Sequence, residues 1–212
     1  YELFERKATL LPMFNNYCYE KDIVFRVPSS TIYDLLVLEY QFSMWQWGTP
    51  VSTIPALDSD DETIFNYFME MCGPEYFAAE NSIESFFVQA VKDFGYYGYN
   101  VEPFHKYVNE EEIEGYLKRV LLPAEFADVE FDDSNHRFVT DFYTENDPKM
   151  IFIYGEVDPW TACGVTWLRD RNKENIKVYI QPGGSHRARI LNMPEEMRNE
   201  ILLLLEEWME YK

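Results

Sequence analysis

The sequence predicts an α/β fold in two parts: a helical block, then a short alternation of strand and helix with too few strands to form a sheet alone. Three observations lead there. Upstream of residue 134, apolar residues recur at three- and four-residue spacing in segment after segment. Downstream, the apolar runs Met150–Tyr154 and Ile176–Ile180 are separated by a helix-length connection and followed by an amphipathic stretch. Both runs read as apolar rather than alternating, with Lys177 the one charged residue in them, which marks parallel strands buried on both faces. Such strands need neighbours absent from these residues, so the chain reads as the C-terminal part of a larger fold.

Residues 2–20 read as one helix, with Leu3, Leu10, Leu11, Phe14 and Cys18 at helical spacing. Ser29 or Ser30 is the expected N-cap of a second helix over 31–46, which runs into Phe42, Trp45 and Trp47 and is broken by Gly48 and Pro50. The acidic run Asp58–Glu62 is an N-cap and first turn of a helix ending at Gly73-Pro74, since a calcium loop would need a DxDxDG spacing. A further helix over 82–94 stops at Gly95, ahead of the aromatic turn Tyr96–Tyr99. Asn109 caps a helix reaching Leu122, and Pro123 ends it. A short helix over 135–144 precedes the first strand. The last helix starts near Pro194, with Met197, Ile201, Leu204, Leu205 and Trp208 on one face.

Composition narrows the partners. The chain has 212 residues, 47% of them hydrophobic, enough for a substantial core. A net charge of −20 repels phosphate backbones and anionic lipid, so nucleic acid is excluded as a partner and cationic ligands are favoured, including a peptide N-terminus. No run approaches the ~18 apolar residues of a membrane span. Cys18, Cys72 and Cys163 form no CxxC, and no HExxH or carboxylate–histidine ligand spacing occurs, so neither metal nor cofactor is expected. The first residue is Tyr1, not Met; the chain is expected to begin inside a longer protein.

The chemistry concentrates in two loops. Asp158 follows the end of the first strand, and His186 follows the second strand and the turn Pro182-Gly183-Gly184. An Asp and then a His, each just past its own strand, fit the last two members of a Ser…Asp…His triad in the chain order of α/β-hydrolases. The carboxylate would orient the imidazole, and the imidazole would take the serine proton. The bland alternative for Asp158 is a cap on a helix beginning near Thr161. His105 and His136 have no partner pattern and read as structural or surface residues.

Tyr154-Gly-Glu-Val-Asp-Pro-Trp160 resembles the NGxxDPW segment of the clan that holds prolyl carboxypeptidase and dipeptidyl peptidase II, and Gly183-Gly-Ser-His186 resembles its Gly-x-His segment. Glu39–Gly48, with its two tryptophans, and Phe94–Tyr99 are similar to lid segments of the secreted bacterial prolyl tripeptidyl aminopeptidases. The resemblance implies a partial α/β-hydrolase fold: residues 1–28 lead into the cap, 29–133 form a helical lid, and 134–212 carry the acid and base loops. It also implies a secreted, periplasmic or cell-surface serine exopeptidase that removes short peptides from N-termini, often after proline.

The departure from that pattern is the nucleophile. No GxSxG or GGSxGG elbow occurs, and Gly183-Gly-Ser-His-Arg187 puts an arginine where the tight turn needs a small residue. The expected partners are therefore a peptide with a free N-terminus and the missing N-terminal half of the enzyme, without which the chain is expected to be inactive. Within the lid, Trp45 or Trp47 is a candidate to stack on a proline ring, and Glu39 to receive the substrate ammonium; for Glu39 the alternative is a solvated helix residue. Two other readings stay open: part of an esterase or lipase, and a non-catalytic peptide-binding module.

Overall fold

The computed structural model describes residues 1–210, which fall into two compact units: Tyr1–Gln41 with Ile54–Arg137, and Phe42–Thr53 with Phe138 onward. The architecture is mixed α/β, mostly helical, with one two-stranded parallel sheet. Among the described residues no helix is long and apolar enough to cross a membrane.

The first unit is helical. The single helix expected over 2–20 is two, α1 (Glu2–Glu5) and α2 (Lys7–Glu20). Arg6 interrupts them with φ −90° and ψ 6°, and its guanidinium ties Glu2 and Asp61 to the carbonyls of Leu57 and Ser59. α2 buries Leu10, Phe14 and Cys18, one residue per turn. α3 (Ser29–Trp47), of which Ser29–Gln41 belongs here, starts two residues earlier than expected, because the Pro28 carbonyl, not a serine hydroxyl, receives the N–H groups of Thr31 and Ile32. α4 (Asp61–Met71) is capped by Asp60, whose carboxylate accepts from Thr63 N at 2.8 Å. Fully buried Phe14, Tyr33, Leu36, Phe68, Phe77 and Phe87 make the centre of this unit's core. Each such side chain contributes roughly 1.5–3 kcal/mol.

α5 (Glu84–Gln89) widens into a π-turn over Ala90–Phe94 and ends at Gly95 with φ 77°. The helix expected from Asn109 to Leu122 is also two, α6 (Glu110–Ile113) and α7 (Tyr116–Val120). Gly115 adopts φ 62°, a left-handed value that stops a helix. Arg119 then reaches back to the carbonyls of Glu111, Glu112 and Glu114, acceptors the break would otherwise leave unpaired.

The second unit holds the sheet. α8 (Ser134–Glu145), of which Phe138 onward belongs here, precedes β1 (Met150–Gly155); β2 (Ile176–Gln181) pairs with it in parallel from Met150↔Ile176 to Gly155↔Gln181. α9 (Glu195–Glu210) closes the unit. Its Ile201 packs with Tyr179 and Met193, and Ile151, Ile153, Leu204 and Leu205 gather around them. Two expectations are corrected. The strands are mostly half-buried, not buried, since each has one neighbour only. The connection between them is two 3₁₀ turns, Pro159–Cys163 and Thr166–Asp170, not an α-helix. Tyr154 decides this: its hydroxyl accepts from Val165 N at 3.0 Å, and its ring lies so close to Gly164 that any Cβ there would sit 2.5 Å away.

Asp147 joins the starts of both strands, accepting from the backbone N–H groups of Glu174 (2.8 Å), Asn175 (3.1 Å) and Ile176 (2.9 Å). Desolvation raises its carboxyl pKa, but these N–H groups and Lys173 more than reverse that, and the net shift is downward. A depressed folded-state pKa adds stability above the unfolded value of ~3.9, and the contribution is lost as pH falls through the folded value. Thermal melts of wild type and Asp147→Asn should therefore differ at pH 6 and begin to draw together only as pH falls below about 4, toward the depressed folded value. All three cysteines are free. Burial pushes the Cys18 thiol up to about 11 and Cys72 well above its ordinary value, while Cys163 is exposed. Mass spectrometry after iodoacetamide treatment of the folded chain at pH 8 should find one adduct, on Cys163, the other two thiols reacting only after denaturation.

Candidate active site

The site grows from the ends of the two parallel strands. β1 ends in Gly155, and a Cβ there would lie 2.3 Å from the Ser185 carbonyl oxygen and 2.5 Å from that of Gly184. Only glycine lets the two loops come this close. The approach is then fastened by backbone bonds: Glu156 N donates to Gln181 O at 3.1 Å, and Val157 N to Gly184 O at 2.9 Å. Gly183 N donates to the Glu156 carboxylate at 2.6 Å, with Gly183 itself at φ 61° in the turn.

This places Asp158 and His186 together. His186 Nδ1 is 2.7 Å from Asp158 Oδ2. The carboxylate accepts, so Nδ1 carries the hydrogen and Nε2 keeps its lone pair for a proton from outside. Asp158 is buried and His186 is 42% exposed along its side chain, so a reactant has access to the imidazole but not to its orienting group. The other carboxylate oxygen, Oδ1, accepts from Trp160 N at 3.1 Å and caps the 3₁₀ turn that begins at Pro159. The capping and pairing readings of Asp158 are thus compatible, one oxygen serving each.

A third segment of the same unit supports the base loop. His186 N donates to Gln46 O at 2.8 Å, and the Trp47 ring lies edge-on to the imidazole with centroids 5.8 Å apart. Arg187 sits over the Trp47 ring at 5.8 Å. Gly48, at φ 69°, leaves space for Ser185, which a Cβ would meet at 2.9 Å. Nothing in the sequence signals that Gln46, Gly48 or Arg187 supports His186; Arg187 is noted there only as the residue that spoils a nucleophile elbow. The two backbone roles have no side-chain signature, and Gly48 reads there only as a helix breaker.

The other candidates are placed differently. Trp45 is 44% exposed and makes no ring contact with His186 among the described residues. Glu39 lies in the first unit and is buried, so it is not a solvated helix residue; its Oε2 accepts from Tyr97 OH at 2.8 Å and Tyr99 OH at 2.7 Å. His105 Nδ1 is 2.9 Å from Glu102 O. Among the described residues no group of His, Cys, Asp and Glu is arranged to hold a metal ion.

No protein-family model matches the chain, and no solved structure matches it. The chain is similar to the prolyl tri/tetrapeptidyl aminopeptidase of Streptomyces mobaraensis, with 21% identity over 223 aligned residues. The alignment covers 98% of this chain and 44% of that protein, so the chain spans less than half the relative's length. At this identity the likeness supports a distant relationship to a peptidase.

The close approach at Gly155 is open to test. Gly155→Ala should lower unfolding stability by about 1–3 kcal/mol, the range for a methyl forced into filled space. Gly98→Ala, where a Cβ meets nothing within 4 Å, is the control. Urea unfolding of both variants measures this, and equal losses would mean that the loops can separate freely.

Proposed function

We propose that this chain is the C-terminal portion of a serine exopeptidase with an α/β-hydrolase fold. Asp158 is the orienting acid and His186 the general base, and the nucleophilic serine is supplied by sequence outside these residues. The 2.7 Å Asp158–His186 pair, formed between loops that follow adjacent parallel strands, is the observation that carries the reading. In the reaction, Nε2 of His186 takes the serine hydroxyl proton as the oxygen attacks the scissile carbonyl. Asp158 stabilises the imidazolium through Nδ1–H, and Nε2 then delivers the proton to the leaving amine.

Residues 29–133 act as the lid of the whole enzyme, and Trp47, against the imidazole, borders the substrate on the catalytic side. The distant peptidase relative favours a peptide bond over an ester, and the charge of −20 suits a substrate bearing a free ammonium. Removal of short peptides from N-termini, with proline preferred, is the activity this combination supports, together with secretion of the whole enzyme.

A fluorophosphonate probe tests the assignment on a protein extended upstream to include a GxSxG-type elbow. Labelling should be strong in the wild type and reduced by at least ~10³-fold in both His186→Ala and Asp158→Asn. Undiminished labelling of the His186 variant would rule out its role as the base. With the same protein, acetylating the amine of a proline-containing test peptide should abolish cleavage; continued cleavage would favour an esterase-like or endopeptidase site.

A further inference from the structure

The first unit contains a second chemically distinctive place. Tyr96, Tyr97, Tyr99 and Tyr116 line a hollow of about 380 Å³, together with the exposed carboxylates Glu110 and Glu114. That volume is near the low end of ligand sites, which run from roughly 300 to 1,000 Å³. The rings form a continuous wall: successive centroids are 4.5 Å apart for Tyr96–Tyr97, 5.7 Å for Tyr97–Tyr99 and 5.1 Å for Tyr99–Tyr116.

Their hydroxyls are bonded within the protein. Tyr97 and Tyr99 donate to Glu39, Tyr116 donates to the Tyr97 carbonyl at 3.4 Å, and Tyr96 shares a short bond with Tyr76. Two consequences follow. The wall is aromatic, and the hydroxyl protons of Tyr97, Tyr99 and Tyr116 are already committed, so an anion finds poor partners there. Donation to a buried carboxylate also leaves the Tyr97 and Tyr99 rings richer in electrons, which strengthens their attraction for a cation. The two lining carboxylates add to that preference.

We propose that this hollow binds an organic cation, an ammonium or guanidinium group carried on a short aliphatic stem. Glu39 acts there as a positioning residue: its charge is felt through the two tyrosines that it holds. The inference stands apart from the hydrolytic reading, because cation binding requires neither a nucleophile nor His186.

The test is an NMR titration of the 212-residue chain with ring-¹³C-labelled tyrosine, using four probes. Alaninamide offers only an α-ammonium, Nα-acetyl-lysinamide only a side-chain ammonium, Nα-acetyl-argininamide only a guanidinium, and Nα-acetylalaninamide no charge. Saturable shifts of the Tyr97, Tyr99 and Tyr116 rings with at least one cation, and none with the neutral amide, are the expected result. The cation that binds tightest tells a peptide N-terminus from a lysine or arginine side chain. The double variant Glu110→Gln, Glu114→Gln, altered only at exposed positions, should weaken binding roughly tenfold. Glu39→Gln, with an unchanged circular dichroism spectrum, should weaken it while shifting the free-state Tyr97 and Tyr99 ring signals. Absence of ring shifts with all three cations would overturn the proposal. So would equal shifts with the neutral amide, or non-saturating changes of the kind a counterion atmosphere produces.

Discussion

The close passage of the Gly184–Ser185 backbone over Gly155 is the constraint on which the second unit's site depends. Two carbonyl oxygens stand where any side chain at residue 155 would begin. Because nothing is there, Val157 N–H meets Gly184 O and Glu156 N–H meets Gln181 O, so main-chain bonds join the loop of Asp158 to the loop of His186. The 2.7 Å contact between Asp158 and His186 is a consequence of that seam rather than its cause. Backbone bonds of this kind hold position without side-chain entropy to lose, which suits a pair whose alignment determines its chemistry.

Around that seam each polar group has a divided task. Asp158 uses one oxygen to start a 3₁₀ turn and the other to orient the imidazole. Tyr154 anchors the crossover through its hydroxyl while its ring packs against Gly164. Residues 42–53, remote in sequence from the strands, belong to the same compact unit and bring the Gln46 carbonyl and the Trp47 ring to His186. The imidazole is thereby held at its backbone and at one ring nitrogen, while the rest of its side chain is partly open to solvent.

The two units differ in how much core they own. The first buries aromatic and aliphatic side chains from α2, α3, α4, α5 and α7 completely. Among the described residues, the second gathers Tyr179, Met193 and Ile201 into one small cluster, beneath strands that remain mostly half-buried. Apolar strands with a single neighbour keep hydrogen-bonding edges and faces that parallel sheets normally cover. Phe138 on α8 and Leu203 on α9 are likewise exposed, at 70% and 66%.

Local chemistry made much of this legible in the sequence. The helical period, the caps at Asp60 and Asn109, the stop at Gly95 and the two apolar strands all rest on interactions spanning a few residues, so they survive without tertiary context. Asp158 and His186 were visible as a pair because loops that follow adjacent parallel strands emerge at the same sheet end. Only the tertiary structure decided the remainder. The break at Gly115 was settled by Arg119 reaching back to three carbonyls, and the loss of a crossover helix by the Tyr154 hydroxyl and ring. The burial of Glu39 depended on two tyrosines 58 and 60 residues away. Each of these outcomes turns on a specific side-chain contact, between residues from five to 60 positions apart, that apolar periodicity and capping residues do not encode.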